Sequence, residues 1–170
     1  SVSAFVGSVT DATYGSAGNT GTDIVTQIVT AMNSRLAAVL SSDFKQLPYP
    51  RDIEKNDKMR VNRGYGVLPG SSEPSEAQVL GSYTQTQIFT VVLTRKIVTG
   101  KKTDRDLETA EHELYTWFDR IRRDFQATKL NEPDVVVIVG VANSDAPEYL
   151  EDTETLAIRY NFPVTYRNSL

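Results

Sequence analysis

The chain has 170 residues, no cysteine, one histidine and a formal net charge of −4 at neutral pH. That length fits one domain able to bury a core without covalent staples. The missing cysteines exclude disulfides and thiolate metal sites, the single histidine excludes a multi-histidine metal site, and the acidic balance argues against a dedicated nucleic-acid binder.

Residues 1–21 form a polar arm rich in Ser, Thr, Gly and Ala, anchored only by Val2, Phe5, Val6, Val9 and Tyr14. Such a composition cannot build a core of its own, so the arm either drapes over its own domain or reaches a neighbouring subunit. A single domain is expected over 22–170. Its first element is a helix from Thr22 to Leu40, with Val25, Ile28, Val29, Met32, Leu36, Val39 and Leu40 on one stripe and Thr22 or Asp23 as cap. Ser41 to Lys58 reads as irregular, since Pro48 and Pro50 bracket Tyr49 and exclude a helix there. A first strand is expected from Met59 to Leu68, where Gly64 and Gly66 mark a bulge or a close backbone approach.

Pro69 to Tyr83 carries two prolines, two glycines and four serines, and is expected to be a long loop over 69–84. Val79, Leu80 and Tyr83 give it an apolar tip. Gln85 to Val98 reads as a strong strand: Gln87, Phe89, Val91, Leu93 and Ile97 point one way, while Ile88, Thr90, Val92, Thr94 and Lys96 point the other. Apolar residues on both sides suit a central strand. The spacing then predicts a long amphipathic helix from Thr103 to Phe125, with Leu107, Ala110, Leu114, Trp117, Phe118, Ile121 and Phe125 facing the core. Thr103 and Asp106 suit a capping box, and Arg120, Arg122 and Arg123 are placed to complement the dipole at the helix end. Val135 to Val141 is a continuous apolar run, expected to be a strand buried on both faces. Asn143 to Glu154 is an acidic connection. Thr155 to Tyr166 alternates, with Leu156, Ile158, Tyr160, Phe162, Val164 and Tyr166 on one side; Pro163 implies an edge position or a bulge. The expected fold is α+β, in the order α-β-β-α-β-β: a mostly antiparallel sheet of about four strands with two helices packed on one face.

Catalytic chemistry finds no foothold. Glu111 and Glu113 straddle His112 but point in different directions on a helix, which favours a solvated face. The acidic loop lacks the alternating carboxylates and glycine of a calcium site, and neither a nucleophile elbow nor a phosphate loop is present. No catalytic, cofactor-binding or metal-binding residue is assigned, and an enzyme is not expected. What remains is sheet surface. A sheet with helices on one face must cover or solvate the other, and ring assembly through edges or exposed faces does so. The candidate contact residues are Val79, Leu80 and Tyr83 in the long loop, with Arg159 and Arg167 on the final strand.

The early helix, two strands bracketing a long Pro/Gly/Ser segment, the helix Thr103–Phe125 and the closing pair VVVIVGVAN and TLAIRYNFPVTYRN together resemble the tail terminator (tail-completion) proteins of long-tailed bacteriophages. The likeness covers residues 22 to 170 and is one of element order, not of a signature motif. It implies a structural virion protein, a hexameric ring that caps the tail tube and joins the tail to the head or neck connector. It also implies tube and connector proteins, and the sheath in a contractile tail, as partners. DNA would pass through the lumen without sequence readout, with assembly in the host cytoplasm and no membrane or cofactor involved. Another neck component, such as a head-completion or stopper protein, and a small cytoplasmic α+β enzyme or ligand-binding domain are the alternatives.

Overall fold

The computed structural model describes residues 23–59, 62–79, 82–97, 104–138 and 143–169; the N-terminal arm and the Thr103 cap lie outside these. Helix α1 spans Ile24–Val39, and Asp23 is its cap, its carboxylate accepting the Thr26 amide at 2.9 Å. That hydrogen bonding holds the Asp23 carboxyl below its usual range. Helix α2 spans Asp104–Thr128 and buries Ala110, Leu114, Phe118, Ile121 and Phe125, the stripe its spacing predicts. It runs past Phe125, so Arg122 and Arg123 do not occupy the last turn; both instead pair with Asp119, at 2.6 and 2.9 Å.

The strands are β1 (Phe44–Gln46), β2 (Arg63–Val79), β3 (Ser82–Lys96), β4 (Val135–Ile138), β5 (Asn143–Ser144), β6 (Glu148–Leu150) and β7 (Thr155–Ser169). They form one seven-stranded sheet in the order β1-β2-β3-β7-β4, with β5 and β6 also on the outer side of β7. All pairs are antiparallel except β1 with β2. The fold is thus the expected α+β class, with more strands than the four foreseen.

Four local expectations need correction. The stretch Pro69–Tyr83 is not a loop: β2 and β3 form a hairpin whose register continues to Val79 opposite Ser82. The prolines are accommodated because, among the described residues, β2 beyond Tyr65 has only β3 beside it, and register shifts fall between Pro69 and Ser72 and between Pro74 and Gln78. Within Ser41–Lys58 lie β1 and a 3₁₀ turn over Ile53–Met59. The Val135 run is an outer strand, not one buried on both faces; a shift between Val135 and Val137 leaves Val137 46% exposed. Finally, β7 is central, and its ladder with β3 passes through Ile88 opposite Pro163 without a shift. Across the other edge, the partner of β7 changes there from β4 to β5.

Both helices pack on one face, against Tyr65 and Val67 of β2, Phe89, Val91 and Leu93 of β3 and the even-numbered apolar residues of β7. Phe118 stacks on Tyr160 at 4.1 Å with rings 6° apart, Phe125 meets Phe162 edge-on at 5.3 Å, and Phe44 meets Trp117 at 5.7 Å. Each pair adds roughly 0.5–1.5 kcal/mol beyond area burial. The core closes at buried Gln87, which accepts the Tyr166 hydroxyl at 2.8 Å and donates to the Gly70 carbonyl at 3.0 Å. After α2, Lys129, Leu130 and Asn131 all adopt positive φ (49°, 62° and 53°), a left-handed turn without glycine that buries Leu130. Such residues cost roughly 1 kcal/mol or more each, so the burial of Leu130 and the bond from its amide to Thr128 Oγ1 must hold the turn.

Ion pairs fasten the helices to each other and to the sheet. Arg35 of α1 grips Asp124 of α2 through two bonds, at 2.5 and 2.9 Å. Arg63 and Arg95 lie directly opposite each other on β2 and β3, an arrangement of like charges that is unfavourable by itself. Glu113 resolves it, bonding Arg63 at 2.8 and 3.1 Å and Arg95 at 3.0 Å. This carboxylate is therefore structural, where the sequence suggested a solvated face. Hydrogen bonding from Arg63, opposed by burial and helped by the charge of Arg95, holds it below its ordinary 4.5. A depressed folded-state pKa gives stability that is full above 4.5 and lost as pH falls through the lowered value. Acid titration of stability should therefore steepen below about pH 4.5 in the native chain. Glu113→Gln should flatten that limb and lower stability at pH 7 by roughly 1–2 kcal/mol, read by urea unfolding at each pH.

Candidate functional site

The second face of the sheet is shared between a covered half and an open half. Alternation along β3 and β7 turns Thr86, Ile88, Thr90, Val92, Arg159, Asn161, Pro163 and Thr165 away from the helices. The connector after α1 folds over one half, packing Leu47 and Ile53 with Val92 as a second small core. Gly64 and Gly66 permit this approach. A Cβ at Gly66 would lie 2.6 Å from the Pro50 Cβ, and one at Gly64 would overlap the Leu47 side chain. The glycines thus mark a close approach rather than a bulge. Buried Asn56 locks the connector, its Oδ1 accepting the Tyr49 amide at 3.0 Å and its Nδ2 donating to the Tyr49 carbonyl at 2.9 Å. Gly66→Ala should cost about 1–3 kcal/mol through this overlap, measured by chemical denaturation.

The other half is open. Ile88 is 36% exposed and Val137 46% exposed, beside half-buried Pro163. The polar side chains among them satisfy each other: Thr86 with Thr165 at 2.8 Å, Thr90 to Asn161 at 2.7 Å and Asn161 to Asn143 at 2.9 Å. Internally paired hydroxyls and amides leave the apolar groups as the surface's unmet demand. Arg159 borders the patch and is engaged by Glu148 at 2.9 Å. Beyond the pair Gln85 opposite buried Tyr166, strands β2, β3 and β7 continue together to Val79, Ser82 and Ser169. The hairpin therefore continues beyond the level of Tyr166.

The sequence-derived contact residues do not form one cluster. Val79 and Tyr83 lie on the hairpin extension, Leu80 falls outside the described residues, and Arg167 is exposed near the end of β7, donating to the Pro133 carbonyl at 3.0 Å. Arg159 and Arg167 are eight positions apart on the same face, roughly 25 Å along a strand. The residues missed were Ile88, Pro163 and Val137. Ile88 was legible as an outward apolar position of a strand, whereas nothing in VVVIVGV tells an edge strand from a buried one.

Two open clefts of about 350 and 360 Å³ flank Pro48 and Pro50, one reaching Asn33 and Gln46 and the other Tyr49, Asp52 and Lys55. Neither brings a nucleophile and a base together. His112 is exposed on α2, and its carbonyl accepts the Thr116 hydroxyl at 2.9 Å. Among the described residues, no group of three His, Asp or Glu side chains could hold a metal ion, and no helix is long and apolar enough to cross a membrane.

No protein-family model matches the chain, and no curated protein matches it. Among solved structures, the chain is similar to one from the virion of a native gene transfer agent particle. The two are 14% identical, the match covers 90% of this chain and 100% of that one, and the TM-score is 0.33. A likeness of that strength carries no functional argument. The open half of the sheet and the extended hairpin are the features from which function must be argued.

Proposed function

We propose that the chain is a structural virion protein, the subunit of a ring that caps the tail tube and joins the tail to the head or neck connector. The observation that carries this is the open sheet face, where Ile88 and Val137 stand exposed around internally paired polar groups. Exposed apolar side chains on an ordered sheet mark a surface that a partner completes. A second copy is the economical partner, because a heterologous contact repeated around an axis closes into a ring. The resemblance in element order to tail terminators favours six copies.

The hairpin extension, which carries Val79 and Tyr83, is suited to reach a neighbouring copy or the tube. Arg159 and Arg167, along the same face as the patch, would border the contact. A net charge of −4 suits a lumen through which DNA moves, since a basic wall would retain phosphates. Mixing the purified chain with tail tubes of its own virion and imaging them by negative stain tests the proposal. A ring seated at one tube end and arrested tube growth are expected. Tubes that elongate unchanged with bare ends would contradict it.

A further inference from the structure

We infer that the open patch around Ile88, Val137 and Pro163 is the docking site for residues 1–22 of a neighbouring copy, an inference that rests on the ring proposed above. The chemistry of the two surfaces matches. The patch is uncharged: Ile88, Val137 and Pro163 are set among Thr86, Thr165, Thr90 and Asn161, whose polar atoms already bond one another. Such a surface calls for apolar contact from a segment without charges to desolvate. Residues 1–22 supply it, with Val2, Phe5, Val6, Val9 and Tyr14 spaced among small residues and Asp11 alone charged.

The placement of Asp23 shows where the segment leaves the body relative to the patch. Arg35 pairs with Asp124, and Phe44, just beyond α1, packs on Trp117, earlier in α2. The helices are therefore antiparallel, and α1 begins where α2 ends, beside the turn Lys129–Asn131. That is also the end of the sheet where Tyr166 pairs with Val135 and the hairpin extends. The segment thus joins the body at the patch's end of the molecule but on the helix-covered face. Two different surfaces at one end, one offering a segment and the other receiving it, make the complementary halves of a heterologous contact. Reach is not limiting, since 22 extended residues span up to about 75 Å.

The chain has no cysteine, so an introduced pair reports alone. A size-tagged Phe5→Cys chain is mixed with a Val137→Cys chain and oxidised, and light scattering is recorded on the same mixture. A hetero-dimer near twice the 18.9 kDa chain mass is expected on a non-reducing gel. It should be lost when Glu108→Cys, on the exposed side of α2, replaces Val137→Cys, and lost again when Ile88→Asp is added to the Val137→Cys chain. No hetero-dimer in a sample that scatters as an oligomer overturns the docking of residues 1–22 and leaves the ring standing. No hetero-dimer in a monomeric sample overturns both. A Phe5→Cys/Val137→Cys chain that closes on itself, with no product between chains, overturns docking on the neighbour.

Discussion

Aspartate at both Ile88 and Val137 is expected to keep the chain from forming the proposed ring while leaving the fold intact. Each side chain is at least one-third exposed in the single chain, so charge there meets water and should shift stability by only about 0.5 kcal/mol. In the proposed ring the same carboxylates would be buried among threonines whose hydroxyls are already bonded, with Arg159 held by Glu148 and Arg167 at the rim bonded to the Pro133 carbonyl. An unpaired buried charge costs several kcal/mol, and every 1.4 kcal/mol is about tenfold in affinity, so the double variant should associate at least roughly 100-fold more weakly. Light scattering reads the mass and circular dichroism reads the fold. An oligomer of unchanged mass would remove this patch from the interface.

Phe118→Ala should be among the most damaging single changes to stability. Phe118 is fully buried at the centre of α2 and stacks on Tyr160 of β7, so its ring joins the helix layer to the central strand. Truncation removes the transfer energy of the ring and leaves a cavity, about 3–5 kcal/mol together. For a domain of this size each kcal/mol moves the melting temperature by about 2–4 °C, so a fall of roughly 6–20 °C is expected by calorimetry. Since whole domains hold about 5–15 kcal/mol, the variant should survive only near the margin. A fall under a few degrees would mean that the stacked pair does not bind the two layers together.

Both helices and the two long central strands were legible because each turns a periodic apolar face to the core. The steps from Ala110 to Phe125 and the alternation from Leu156 to Tyr166 leave a periodic trace that survives without any partner in view. The hairpin was not legible. Its prolines and serines are what a loop would carry, and they are tolerated because, among the described residues, no strand lies beside Pro69 or Pro74 on the outer side of β2. Strand β1 is too short to show a period. The role of Glu113 was hidden because Arg63 and Arg95 lie far from it in sequence and meet it only once β2 and β3 pair. Likewise, Val137 reads as core in an apolar run and comes to the surface through a one-residue shift at the sheet's edge.

At the candidate surface, the sequence called for an uncovered sheet face and the fold supplies half of one. The other half is closed by the connector, which composition alone marked only as irregular. Its seal depends on two glycines beneath Leu47 and Pro50, and on the buried amide of Asn56. Of the contact residues selected from the sequence, the described ones lie around the open half or on the hairpin, not within the patch itself.

The most direct measurement is the mass and shape of the full chain in solution, by light scattering at micromolar concentration followed by negative-stain imaging. A closed ring, with a mass near six times 18.9 kDa, is the predicted result. A strictly monomeric chain that forms no rings, alone or on tail tubes, would contradict the account.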